Sequence, residues 1–182
     1  EDEVKLKEDY PSVLPVLPLK NTILFPGVVI PITVGREKSI RAVQKAYDGS
    51  KMIAVLGQID SKVEDPTKED LFSIGTIAKV LRLLKMPDGT TTAFLQGRRR
   101  FELVEMISET PYMQGEIRLL GYNEPENKME FEALVSSIRD KAKGIIELSP
   151  NIPTEAAIML KNINNNPFLL NFIASNLNNI KL

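Results

Sequence analysis

The 182-residue chain contains neither cysteine nor histidine, and these two absences remove most of the side-chain chemistry available near neutral pH. Without cysteine there are no disulfides and no thiolate metal ligands, a composition in keeping with a reducing compartment. Without histidine the commonest general base and metal ligand is missing, so the usual hydrolytic triads and zinc sites are excluded. Net charge is lacking too. Twenty-three Lys and Arg against 24 Asp and Glu leave -1, so no overall field draws the protein toward nucleic acid or an anionic membrane. No apolar run approaches the ~18 residues of a membrane span, and the opening EDEVKLKEDY is charged rather than signal-like. The expectation is a soluble, cytoplasmic protein.

Glycine is too scattered for phosphate chemistry. The ten glycines sit singly at predicted turns and strand ends, whereas a phosphate loop needs them closely spaced at the opening of a helix. The acidic loop Glu64, Asp65, Glu69 and Asp70 has carboxylates that suit a hard cation, but it lacks the alternating spacing and turn glycine of a calcium loop. A solvated charged loop is the plainer reading. No Ser–Lys pair is marked by adjacency, so no catalytic residue, metal or cofactor is assigned.

What the chain does have is a core: 43% apolar residues with 26% charged is the balance of a globular protein. Residues 1–11 are too densely charged to build one and read as a flexible lead-in. From Ser12 the pattern is β-rich. Leu14, Val16 and Leu17 alternate with prolines, which predicts a strand at an edge or interrupted. Phe25-Pro26-Gly27 has the residues of a type II turn, and Val28 to Val34 reads as a buried strand broken at Pro31. Ile40, Val43, Ala46 and Tyr47 share one face of a helix that stops at Asp48-Gly49. Strands are expected over Met52 to Leu56, Ile74 to Leu84 and Thr90 to Gln96, the last two joined by a hairpin at Met86-Pro87-Asp88-Gly89. Phe101, Leu103 and Val104 continue the β pattern, and Tyr112 to Tyr122 adds another strand.

Near Glu124 the period changes. Phe131, Leu134, Val135, Ile138, Ala142, Ile145 and Ile146 keep the spacing of an amphipathic helix of about six turns, ended by Pro150 and Pro153. A second helix should carry Ala157, Ile158 and Leu160, and a third should start at Pro167 with Asn166 as its N-cap. Strands followed by helices make an α+β chain: a β-rich domain over 12–123, then a helical bundle over 124–182.

Two features stand out as binding candidates. Arg98, Arg99 and Arg100 form the only cationic cluster, with Phe101 as its sole aromatic neighbour; an RNA-binding site is one reading, and a solvated strand face the plainer one. The predicted turns at Leu24-Phe25-Pro26 and Met86-Pro87 are apolar where turns are usually polar. They pack between domains, or they form an exposed patch of the kind that meets another chain, a use to which methionine is suited.

The segments LPVLPLKNTILFPGVVIPITVGREKSI and IGTIAKVLRLLKMPDGTTTAFLQGRRRFEL closely resemble the amino-terminal domain of the bacterial Lon family of ATP-dependent AAA+ proteases. The helical block ELSPNIPTEAAIMLKNINNNPFLLNFIASNL is similar to that family too, so the likeness covers residues 12–177. It implies a PUA-like β-rich pseudo-barrel followed by a small helical bundle, with the ATPase and Ser–Lys protease modules outside this chain. It also implies a non-catalytic role: capture of unfolded or degron-bearing proteins, and self-association within a parent homohexamer. Leu24, Phe25, Pro26, Met86 and Pro87 are then the expected substrate contacts, a placement that rests on their position and polarity.

Overall fold

A computed structural model describes residues 9–149 and 155–177. The chain divides into two compact units, Glu1–Leu120 and Gly121–Leu182. The first carries β1 (Val13–Leu19), β2 (Val29–Val34), α1 (Glu37–Asp48), β3 (Met52–Gly57), β4 (Ile74–Lys85), β5 (Thr91–Ser108) and β6 (Gln114–Leu119). The second carries α2 (Lys128–Leu148), α3 (Glu155–Asn162) and α4 (Asn166–Ser175). The result is a mixed α+β fold, a multi-stranded sheet followed by helices.

The strand order is β2-β5-β4-β3-β1-β6, and β6 also pairs with β5. The pairings therefore run in a closed circuit through five strands, with β2 attached outside it. The proline-rich β1 is a member of this circuit, so of the two expectations, a strand at an edge or an interrupted one, the ladder fits the second. β1 tolerates its prolines by changing neighbour half-way: Val13 to Pro15 face β6 antiparallel, while Val16 to Leu19 face β3 in parallel. The edge belongs to β2, which runs unbroken through Pro31 and is half exposed, not buried as its apolar run suggests. The Gly97 N–H donates to the Val28 carbonyl at 2.8 Å. Bonded and non-bonded pairs alternate along an antiparallel ladder, so Pro31, opposite Phe94, falls on a non-bonded pair and its nitrogen faces outward. The missing donor takes nothing from the ladder and leaves a gap that an incoming strand would meet.

β5 runs as one long strand through the expected Thr90 to Gln96 segment and the β pattern continued at Phe101 to Val104, and its irregularities set which core each part faces. Ala78 faces Gly97 and Thr76 faces Arg100, so three steps on β5 answer two on β4, a bulge at Arg98–Arg99. The extra residue inverts which side chains face which core. Ala93 and Leu95 join a cluster with Leu17, Val43, Ile53 and Val80, on the face covered by α1. Phe101 and Leu103 join a second cluster with Leu14, Leu56, Ile77 and Ile117 on the opposite face. β3 lies between the two and is buried at every residue. α1 follows its sequence period: Val43 and Ala46 are buried, Ile40 and Tyr47 pack partly buried beside them, and Gly49 ends the helix.

In the second unit Asn127 caps α2 by accepting from the Glu130 N–H at 3.1 Å. Val135, Leu160 and Leu169 form its buried centre, and the Arg139 guanidinium donates to the Leu160 carbonyl. The cap of α4 lies one residue before the expected one. Asn165 accepts from the Phe168 N–H at 2.8 Å, while Asn166 is inside the helix and donates its amide to Glu132 at 3.0 Å. The expected break at Pro150 and Pro153 lies outside the described residues.

Candidate functional site

The stretch from Ile23 to Val28 follows from the turn that ends it. Pro26 presets one dihedral, Gly27 supplies a φ of 82°, and the Val28 N–H donates to the Phe25 carbonyl at 3.3 Å, a type II turn. Entering that turn, the backbone crosses three adjacent strands. Over β3, Ile23 and Phe72 both overhang Gly57, whose Cβ, if it had one, would lie 2.6 Å from Ile23 Cδ1 and 3.3 Å from the Phe72 ring. Over β4, the buried Thr76 hydroxyl donates to the Leu24 carbonyl at 2.7 Å. Over β5, a Cβ on Gly97 would stand 2.2 Å from the Phe25 carbonyl oxygen. Glycine is required there because the crossing backbone occupies the side-chain position. The Gly27 N–H completes the clamp by donating to the Gly97 carbonyl at 2.9 Å.

This crossing separates residues that the sequence groups together. Leu24, expected at the surface, is only 4% exposed and belongs to the α1-side core. It is an anchor for the crossing, since its side chain is the one directed down onto the sheet. Phe25 and Pro26 are half-buried, and Ile23 is 50% exposed. Ile74, 54% exposed, shares a strand face with Thr76 two residues on, and Phe72 beside it is half-buried. Ile23, Phe25, Phe72 and Ile74 thus make one apolar face. Phe72 and Ile74 were absent from the sequence expectation; the signal for them was glycine inside the strands at 57 and 97, which marks close approach of another segment.

Met86 and Pro87 form the exposed β4–β5 turn, Met86 at 45%. The Gly89 N–H donates to the Met86 carbonyl at 3.1 Å, with Gly89 at a φ of 87°. Hydrogen bonds from the Thr90 side chain and N–H hold the Asp88 carboxyl below its ordinary range. This turn is not part of the first face. β2 pairs from Val29 opposite Gln96 to Val34 opposite Thr91, and the two turns lie at its opposite ends, on the order of 17 Å apart at strand rise.

The arginines divide between environments. Arg98 is half-buried, Arg99 is exposed with its guanidinium 3.4 Å from the Leu120 carbonyl, and Arg100 is exposed opposite Thr76. Phe101, the aromatic platform that an RNA site at this cluster would use, is fully buried in the second core. The acidic loop is engaged by lysines and by its own capping. Lys20 pairs with Glu64 and Lys38 with Asp65, each at 2.8 Å, and the Asp70 carboxylate accepts from the Thr67 N–H. Among the described residues no group of three or more potential metal ligands comes together.

Arg36 was not singled out in the sequence. At the start of α1 it donates to the Pro18 carbonyl at 2.9 Å, to Gln58 Oε1 at 2.8 Å and to the Glu64 carbonyl at 3.3 Å. Burial pushes its guanidinium downward, and Glu64 and Asp65 oppose that shift. It stands between two clefts of about 320 and 540 Å³ and fastens the charged loop to β1. These partners are structural.

Residues 13–181 match the family model described as the ATP-dependent protease La (LON) substrate-binding domain. The chain belongs to that family. It is 51% identical over 180 residues to a Lon protease of Flavobacterium johnsoniae and 46% identical to one of Cytophaga hutchinsonii; each alignment covers 98% of this chain. The chain spans 22% of the length of those proteases. It corresponds to the non-catalytic, N-terminal portion of a Lon-type protease, apart from the ATPase and protease core. Its fold is similar to the N-terminal domain of a Mycobacterium avium complex Lon protease, with a TM-score of 0.68 at 21% identity over 88% of this chain and 80% of that one. A Lon N-terminal domain protein from Xanthomonas campestris gives 0.56 at 16% identity, over 90% and 98%. Among the described residues no helix is long and apolar enough to cross a membrane.

Proposed function

We propose that this Lon-type domain receives unfolded client polypeptides on the face made by Ile23, Phe25, Phe72 and Ile74, with the Met86-Pro87 turn as a second, separate contact. The observation that carries the reading is an apolar face of two exposed side chains, Ile23 and Ile74, and two half-buried rings, Phe25 and Phe72, built around a crossing clamped from below by Gly97 and Thr76. Unfolded chains differ from folded ones in displaying apolar side chains, and a shallow apolar face binds many such segments weakly. Repetition of two weak contacts around a parent homohexamer raises avidity without a strong single contact. The closed circuit of strand pairings supports a PUA-like pseudo-barrel as the scaffold, and the lack of cysteine is in keeping with a cytoplasmic parent protease.

Chemical-shift mapping with an unfolded casein-type client tests the proposal. Amides around Phe25 and Phe72 are expected to move first and those around Met86 independently. Phe25→Ser and Met86→Asp are each expected to weaken binding several-fold while the dispersed spectrum is retained. A client that binds yet shifts neither turn refutes the placement.

A further inference from the structure

The bulge that interrupts β5 delivers a cation to the apolar face. Arg100 stands directly opposite Thr76, and paired residues of an antiparallel ladder project to the same side. Its guanidinium therefore leaves the sheet on the face where Thr76 holds the Leu24 carbonyl, beside the Ile23–Phe25 crossing. The next pair along that face is Ile74 with Glu102, and Glu102 is already neutralised by Arg118. Among the described residues no carboxylate pairs with Arg100. Arg99, one residue earlier, is also exposed. On its β5 side the apolar face thus presents Arg100 as a cation with no carboxylate of its own among the described residues, although the whole chain is at -1.

Resting on the client-binding reading above, we infer that this face selects apolar client segments that carry a carboxylate within two or three residues of the apolar side chains, the carboxylate being met by Arg100. The spacing follows from the sheet. Arg100 is one strand across and two residues along from Ile74, a distance that two or three residues of an extended client span at ~3.4 Å each. An exposed Arg–carboxylate pair adds selectivity more than affinity. Arg100 is a specificity residue, and the apolar side chains supply the binding.

The test uses three unstructured fluorescent decapeptides with one Phe-Leu centre and, two residues on, Asp, Asn or Lys. Fluorescence anisotropy with the intact chain at about 0.1 M salt is expected to rank Asp over Asn over Lys, each step about twofold to fivefold, the range of an exposed ion pair. The ranking is expected to collapse near 1 M salt, where screening acts within about 3 Å. Arg100→Gln should abolish the ranking with the Asn peptide unchanged, and Arg100→Glu should invert it, which a misfolded variant cannot do. Equal binding of all three peptides by the parent chain, with Phe25→Ser still weakening them, overturns the charge selectivity and leaves the apolar face standing. Binding indifferent to Phe25→Ser removes both. An unstructured RNA that binds tighter than the Asp peptide and is lost in Arg100→Gln also overturns the inference and assigns Arg100 to nucleic acid.

Discussion

Gly97→Ala is the sharpest probe of the crossing, because everything that its methyl meets is backbone. The new Cβ would stand 2.2 Å from the Phe25 carbonyl oxygen, 3.0 Å from its carbon and 3.3 Å from Pro26 Cα. No rotamer relieves this, so the turn must withdraw by about 1 Å or more to reach ordinary contact. That motion acts on two backbone hydrogen bonds, Gly27 N–H to Gly97 at 2.9 Å and Gly97 N–H to Val28 at 2.8 Å, and on the Thr76 bond to Leu24 at 2.7 Å. Net losses of ~1 kcal/mol per bond, and more for a buried carbonyl left unsatisfied, sum to about 3 kcal/mol. Replacing a strand glycine returns roughly 0.5–1 kcal/mol of chain entropy. The expected result is a destabilisation of about 2 kcal/mol in urea unfolding of the first unit, with the Phe25 to Val28 amide signals displaced. Gly57→Ala is the control: its methyl meets the ends of the Ile23 and Phe72 side chains, which can turn aside, so a smaller loss is expected. Equal effects at the two sites, or a neutral Gly97→Ala with unmoved Phe25 signals, would refute the clamp.

Two further outcomes are expected. Glu64 is held below the ordinary carboxylate range by the hydrogen bond from Lys20 and by its charge. Because the folded state binds this proton less readily than the unfolded one, the stabilisation is present above the unfolded pKa and is lost as pH falls through the folded value. Glu64→Gln should therefore be slightly less stable than the parent at pH 7, the two curves converging once the pH has fallen through the folded value; a deficit that persists in stronger acid denies the pairing its role. For α4, Asn165→Ala should cost about 1 kcal/mol as a lost N-cap, whereas Asn166→Ala loses only an exposed bond to Glu132, and thermal melts followed by circular dichroism should rank them in that order.

The parts of the molecule that were legible in the sequence are those fixed by local chemistry. The Phe25-Pro26-Gly27 turn, the period of α1 and the glycine of the Met86 hairpin each follow from a few adjacent residues, and each is present. Left open or misread were the positions set by partners distant in the chain. Pro15 and Pro18 allow either an edge or an interrupted strand, and the choice is made by distant segments, β1 exchanging β6 for β3 half-way. Val28 to Val34 is apolar enough to be buried, yet among the described residues no strand lies beside its outer edge. The apolar face was half legible for the same reason, since it gathers Ile23 and Phe25 from one segment and Phe72 and Ile74 from another about 50 residues away.

The arginine triplet shows why a charge cluster in sequence need not be a charge cluster in space. A strand of uniform pleat would carry Arg99 opposite Thr76, Arg100 opposite Gly75 and Phe101 opposite Ile74, sending a guanidinium into the second core and leaving the phenyl ring at the surface. The bulge removes that conflict: its extra residue leaves Arg99 at the surface and turns Phe101 into the second core. The same step re-aims Arg100 onto the face of the Phe25 crossing. The geometry that lets one long strand serve two cores therefore also places a cation beside the apolar side chains, so the strand's irregularity and the site's charge have one structural origin.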